Sequence, residues 1–289
     1  MHDLDPYAKQ AADKIVQEAQ RRRAEKGKPF LIAIDGGSGS GKSTVASAVA
    51  EKLGAVLVPA DDFFAAHITD EAWAQRDVKA RAADSIDWKR LRHEAIEPLL
   101  AGKRARWHSF DFVSGARSDG TYCMLAEFEE RSPANVIVLD GAYSARPELT
   151  DLIDLSVLVD VPVALRHERL SAREDRARLD SWHARWDGAE DYYFTQVRPV
   201  SSFDLVVTNG PPHEGWRWRI GWSGGSSILA NKPQGINHLP RTNSRNNGKL
   251  LCQAPKSQPK THNHLKPNHL TPKNKPVQTG NLVTPSSIK

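Results

Sequence analysis

At 289 residues the chain has room for one large domain or two modest ones, and its two cysteines, Cys123 and Cys252, exclude a disulfide framework or a Cys-rich zinc site. The net charge of +5 does not argue for nucleic acid, because all 35 acidic residues lie at or before Glu214 while 12 of the 40 Lys and Arg lie after it. Residues 1–214 therefore carry 28 basic against 35 acidic groups, a formal charge of −7. No run approaches the roughly 18 apolar residues of a membrane span. The polar start offers no apolar signal-peptide core, so a soluble cytoplasmic protein with neither membrane nor nucleic-acid partner is expected.

From Leu4 to Lys26 the residues Ala8, Ala11, Ala12, Ile15, Val16 and Ala19 recur at helical spacing, closing on Arg21-Arg22-Arg23 before Gly27. This predicts an N-terminal helix, residues 1–27, with a basic end that complements the helix dipole. Phe30–Asp35 predicts the first strand. Directly after it comes Gly36-Gly37-Ser38-Gly39-Ser40-Gly41-Lys42-Ser43-Thr44, which fits G-x-x-x-x-G-K-[ST]. Glycines let such a loop curl tightly around an anion, and its N–H groups together with the next helix start supply positive charge. All nine residues are expected to hold a nucleoside triphosphate, Lys42 reaching the β- and γ-phosphates and Ser43 placing its hydroxyl on Mg2+. A flexible Gly/Ser linker is the alternative. Linkers are not preceded by Phe-Leu-Ile-Ala-Ile or followed by Lys-Ser-Thr and a helical pattern.

Lys42–Leu53 reads as the helix beneath this loop, and Ala55–Pro59 as a second strand running into Asp61-Asp62-Phe63-Phe64. Residues 70–84 read as a polar, mobile connection. Trp88–Leu100 predicts a helix with Asp87 as its N-cap and Gly102 beyond its end. Ala105–Tyr122 has the aromatic, Asp and Gly content of a loop or hairpin. Asn135–Leu139, entering Asp140-Gly141, Leu155–Val159 and Asp204–Val207 predict three further strands, with helices over 163–179 and 181–197 between the last two. Strands apolar throughout and separated by helices imply a parallel sheet covered on both faces. The expected fold over residues 28–209 is thus a three-layer α/β/α P-loop NTPase fold with a five-stranded parallel sheet. Ligands of such sheets gather at the carboxyl ends of strands, where Gly36, Asp61 and Asp140 all fall. Residues 210–289 change character. No acidic residue follows Glu214, and Asn, Pro, Ser, Lys and His dominate, which predicts a disordered basic tail. Either a natural tail or sequence read outside the coding frame would give so abrupt a change.

A guanine-reading Asn-Lys-x-Asp is absent, and Val-Leu-Asp140-Gly141 offers one acidic residue where helicases and transporter ATPases offer two. Instead an acidic pair follows the second strand, and Arg166, Arg169, Arg173 and Arg176 precede the last. A carboxylate able to take a hydroxyl proton and arginines closing on phosphates make the logic of a small-molecule kinase. An Asx turn for the aspartates and a solvated face paired with Glu168, Glu174 and Asp175 for the arginines are the structural alternatives.

At this point the pattern resembles the uridine kinase, phosphoribulokinase and nicotinamide riboside kinase family of P-loop kinases. The resemblance spans about residues 28–208. It rests on the glycine loop, Asp-Asp-Phe-Phe, Ile86-Asp87-Trp88, Phe110-Asp111-Phe112, the strand ending in Asp140-Gly141, the arginine segment, Trp186, Tyr192-Tyr193-Phe194 and the final Asp-Leu-Val-Val. It implies ATP- and Mg2+-dependent transfer of a γ-phosphoryl group to a hydroxyl of a nucleoside-like acceptor, uridine or cytidine first. Nicotinamide riboside or pantothenate as acceptor and a non-catalytic ATP-binding regulator are the alternatives. It further implies that Asp61 or Asp62 is the catalytic base, Asp62 being favoured because Asp61 sits nearer the strand end. Lys42, Arg169 and Arg173 would meet the transferring phosphate, with Arg166 and Arg176 beside them. Asp140, where relatives usually carry glutamate, would join Ser43 on Mg2+ or orient the acceptor. Phe64 would wall the acceptor pocket with Phe63, Trp107, Phe110 and Phe112, Asp111 reading a ribose or base edge, although core packing explains the aromatic residues as well. Trp182 and Trp186 read as a packing seam beside Tyr193.

Overall fold

The computed structural model describes residues 4–26, 29–172 and 176–211. Helix α1 (Pro6–Lys26) leads into strand β1 (Phe30–Asp35), and α2 (Lys42–Leu53) follows the glycine loop. Next come β2 (Val56–Pro59), a 3-10 turn at Ala60–Phe63, and two short helices, α3 (Asp70–Gln75) and α4 (Val78–Asp84). A helical rod over residues 88–100 joins α5 (Trp88–Arg90) to α6 (Glu97–Leu100) through a wide turn at Leu91–Ile96. Strands β3 (Ala105–Phe110) and β4 (Met124–Arg131) form an antiparallel hairpin apart from the main sheet. The remaining elements are β5 (Val136–Asp140), β6 (Leu155–Asp160), α7 (Val163–Ser171), α8 (Arg176–Tyr192) and β7 (Leu205–Thr208).

The main sheet has the order β2-β5-β1-β6-β7, every pair parallel, as the apolar strands predicted. Side chains of a strand alternate between faces, and here the alternation builds three layers. Phe30, Ile32, Ile34, Val136 and Val138 join Ala8, Ala12, Ile15, Val45 and Val49 of α1 and α2 in one core. Leu31, Ile137 and Leu139 point the other way, onto Phe63, Leu91, Ile96, Leu99 and Trp107. The alanine stripe of α1 is therefore a close-packing face of the central domain.

Three expectations are corrected. Residues 70–84 are the two helices α3 and α4, each with a side-chain N-cap: Thr69 accepts from Ala72 N at 3.1 Å, and Asp77 from Ala80 N at 2.7 Å. Their apolar positions are too few for a visible period, yet Trp73 is buried. The helix expected over 163–179 stops at Ser171, and β4 was not anticipated because its residues are mostly exposed and carry four charges. The 88–100 helix forms with Asp87 as N-cap, accepting from Arg90 N at 3.1 Å. Its wide turn precedes Pro98, whose ring would clash with the carbonyl four residues back in a regular helix. The tail expected from residue 210 falls on 212–289, outside the described residues. Among the described residues no helix is long and apolar enough to cross a membrane.

Candidate active site

Parallel register brings the functional loops together. Asp140 pairs with Ile34 on one side and Pro59 on the other, so the glycine loop, the Ala60–Phe63 turn and the Asp140-Gly141 corner emerge side by side. They surround a cleft of ≈ 430 Å³ lined by Ser38, Gly39, Gly41, Lys42, Ser43, Thr44, Asp61, Phe64 and Glu190 among others. Gly39 and Gly41 have φ of 80° and 76°, left-handed values that suit glycine. A Cβ on Gly39 would stand 2.4 Å from the Arg166 carbonyl, and one on Gly41 2.4 Å from Asn209 Nδ2. Both conformation and packing thus demand glycine.

The loop is braced by side chains from distant elements. Asn209 Nδ2 and Arg169 Nη1 donate to the Ser40 carbonyl at 3.0 and 3.2 Å, and Arg169 Nη2 donates to the Asn209 carbonyl at 2.8 Å. Arg166 Nη1 donates to the Ser38 carbonyl at 3.1 Å and pairs with the buried Glu190 at 2.7 Å. Glu190 in turn accepts from Ser38 N at 2.9 Å. Arg169 was expected on the transferring phosphate with Arg166 beside it; in the structure both guanidinium groups donate to the loop's carbonyls. The physical reason is their position on α7, from which they reach loop carbonyls and Glu190. Arg166 and Arg169 do not share a helix with Arg176, since α7 ends at Ser171 and Arg176 begins α8. Arg173 and the side chains of Arg176 and Trp182 lie outside the described residues.

The acidic pair is split by its turn. Asp61 lines the cleft with Lys42 and Ser43. Asp62, favoured from the sequence as the base, turns away and accepts from Trp107 Nε1 at 2.9 Å. Burial pushes its carboxyl up, against the lowering pull of that hydrogen bond. Asp140, at the end of β5, is buried; burial raises its carboxyl to about 6 despite the opposing Lys42 charge and Ser43 hydroxyl. Its Oδ1 has no hydrogen-bond partner. A buried carboxylate oxygen without a donor, beside the Ser43 hydroxyl, fits a hard divalent cation, and Mg2+ commonly takes one or two carboxylates while keeping waters and phosphates as its other ligands. The residues present therefore fit Mg2+.

Several contributors were not read from the sequence. Asp35, fully buried at the end of β1, accepts from Gly36 N at 2.7 Å, Tyr143 N at 2.9 Å, Ala145 N at 3.0 Å and Tyr193 Oη at 2.8 Å. Burial still outweighs these donors and holds its carboxyl above the ordinary value. The group ties β1, the β5 corner and the end of α8 to one point. Tyr143, which lines the cleft, has φ of 66°, a left-handed conformation costing a non-glycine residue on the order of 1–3 kcal/mol and concentrated at functional sites. Arg185 stands at the cleft wall and donates to Asp70 at 2.7 Å, where the Tyr122 hydroxyl also donates. Asn209 follows β7 at its carboxyl end, where a polar residue is a readable signal. Asp35, Tyr143 and Arg185 carried no comparable one.

Of the five aromatic residues expected to wall the acceptor pocket, Phe64, Phe110 and Phe112 line the cleft, together with Trp73, Tyr122 and Trp186. Phe64 meets Phe110 and Trp186 edge-on at 5.0 and 5.6 Å. Phe63 and Trp107 pack in the core at 5.5 Å from each other. Trp186 packs on Trp73 at 5.2 Å and on Phe64, so the seam read from its sequence is also part of the cleft wall. Asp111 lines the cleft but already accepts from Val113 N and Ser114 N at 2.9 and 3.0 Å. Those bonds, Ser114 foremost, hold its carboxyl below the ordinary range.

A five-stranded parallel sheet between helical layers, with a glycine loop after its central strand, is a nucleoside-kinase-like P-loop fold. The Phosphoribulokinase / Uridine kinase family matches residues 31–184, and the chain belongs to that family. At the level of that family it is a phosphotransferase acting on a small metabolite. It is 28% identical over 177 residues to a uridine kinase of Halobacterium salinarum, covering 59% of this chain and 72% of that protein. To a uridine kinase of Bacillus cereus it is 30% identical over 179 residues, covering 60% of this chain and 78% of the relative. The fold is shared with the structure of a possible uridine kinase from Bacillus stearothermophilus, with a TM-score of 0.52 at 19% identity, over 69% of this chain and 98% of that one.

Proposed function

We propose that the protein transfers the γ-phosphoryl group of ATP to a hydroxyl of a nucleoside, uridine or cytidine first, with Asp61 as the base. The observation that carries this reading is that Asp61, Lys42 and Ser43 line the same cleft as Phe64, Phe110, Phe112 and Trp186. ATP phosphates would lie on the glycine loop and the N-terminus of α2. An acceptor hydroxyl directed at the γ-phosphorus would give its proton to Asp61 as the new O–P bond forms and the bridging bond to ADP breaks. Lys42 neutralises charge on the phosphates as that happens. Ser43 and Asp140 would hold Mg2+, which when bound offsets charge between the β- and γ-phosphates. Arg166 and Arg169 act on the loop rather than on the nucleotide, setting its shape through the Ser38 and Ser40 carbonyls.

Phe64, Phe110, Phe112 and Trp186 line the cleft, and an aromatic lining suits a flat acceptor base. The same wall, with Asp111 beside it, also suits a cationic ring such as that of nicotinamide riboside, through cation–π attraction. That is the second reading. The test is an acceptor panel of uridine, cytidine, nicotinamide riboside and pantothenate with ATP, read by product mass with Mg2+ and with EDTA. One dominant Mg2+-dependent monophosphate of uridine or cytidine is expected. Preference for nicotinamide riboside would select the second reading, and ATP binding without any product would overturn both in favour of a regulatory ATP-binding role.

A further inference from the structure

Away from the cleft, α7 and α8 meet through three side chains for which phosphoryl transfer has no use. His167 lies on α7; His183 and Asp187 lie one turn apart on α8, a spacing that puts both on one face. His167 Nε2 stands 3.2 Å from Asp187 Oδ2, and His183 Nδ1 stands 2.9 Å from the same carboxylate. The two imidazole rings are 4.1 Å apart, centre to centre. One ligand atom from each residue lies within 4.8 Å of the other two. A tetrahedral ion with bonds near 2.0–2.1 Å spaces its ligands about 3.3 Å apart; the His167–Asp187 edge of 3.2 Å already has that size, and the shorter His183–Asp187 edge of 2.9 Å needs only a small opening. Side-chain exposures of 38%, 21% and 40% leave the triangle open to an entering ion and to a water as fourth ligand.

Two imidazoles and one carboxylate form a donor set for Zn2+ and related first-row ions. Mg2+ would take oxygens in their place. We propose that His167, His183 and Asp187 bind one cation of the Zn2+ class, distinct from the Mg2+ position at Ser43 and Asp140. The ion fastens α7 to α8 with no part in phosphoryl transfer. Its leverage follows from what those helices carry. Arg166 and Arg169 on α7 hold the glycine loop's carbonyls, while α8 brings Glu190 to Ser38 N and Arg185 and Trp186 to the cleft. Ion binding therefore rigidifies the brace behind the nucleotide loop and tightens ATP binding.

Zn2+ alone is titrated into the chelator-stripped full-length protein by calorimetry, and Co2+ is added in parallel to read its visible absorption. The comparison is with His167→Ala/His183→Ala and with the near-isosteric Asp187→Asn, all histidines elsewhere being retained. Metal-free melting temperature and circular dichroism check that each variant folds, as half-buried positions outside the core lead one to expect. One tight site in the parent, weakened about 100-fold or more in both variants, is expected. It should come with an intense tetrahedral Co2+ band and a Zn2+-dependent rise in melting temperature that the variants lose. Equal Zn2+ affinity and stoichiometry in parent and variants, or no tetrahedral Co2+ band in the parent, would overturn the assignment. The triad would then be a hydrogen-bonded His–Asp–His contact.

Discussion

Asp61 and Asp62 are neighbours in sequence and opposites in surroundings. The 3-10 turn that carries them points one into the cleft and the other at Trp107. Asp61→Asn should keep ATP binding and lower kcat by about 10²–10⁴, the usual contribution of a positioned general base, in steady-state assays on the accepted nucleoside. Asp62→Asn should cost far less, since its amide oxygen can still accept from Trp107. Stability gives an independent check. Burial raises the Asp62 carboxyl above its ordinary value. A raised carboxylate supports folding fully below its unfolded pKa and loses that support as pH climbs through the folded one. Melting curves should therefore show Asp62→Asn gaining on the parent as pH rises to neutrality, with the gap closing in acid. A constant gap across the series would contradict the burial argument.

At the scale of elements, α7 separates what a sequence can place from what it can aim. The glycine loop, β1, β5 and α2 were legible because apolar runs, helical period and the phosphate motif are local signals. The same holds for the acidic pair just past β2, of which the sequence favoured Asp62, and for Asp140 at the end of β5. Arg166 and Arg169 were placed on a helix correctly. Whether a guanidinium meets a phosphate or a loop carbonyl depends on how that helix sits against the loop, and no spacing encodes it. Asp35 was illegible for a related reason: its partners at Tyr143, Ala145 and Tyr193 lie more than a hundred residues away. α3 and α4 escaped notice because their caps and one buried tryptophan, rather than a periodic face, define them. Arg169→Ala removes the donors to Ser40 and Asn209, each such charged bond being worth about 1.5–3 kcal/mol. Loosening the loop by that much should weaken ATP about tenfold or more in calorimetry while leaving kcat at saturating ATP nearly unchanged. A selective loss of kcat would mean that Arg169 meets the transferring group after all.

Over the whole molecule, the layers close within the described residues. Phe203 and Val207 near the last strand are buried, and the formal charge of −7 belongs to residues 1–214. A chain ending at residue 211 is expected to melt at the parent's temperature and to phosphorylate the same acceptor; a large loss in either would give the basic segment a structural role. Phosphoryl transfer at the Asp61 cleft is the function on which every other role proposed for these residues depends. Its most direct test follows the label from γ-labelled ATP in the parent and in Asp61→Asn, with uridine as acceptor. Label is expected on the nucleoside in the parent, and its near-complete loss in Asp61→Asn although ATP still binds. Label found only in inorganic phosphate, or equal transfer by the variant, would contradict it.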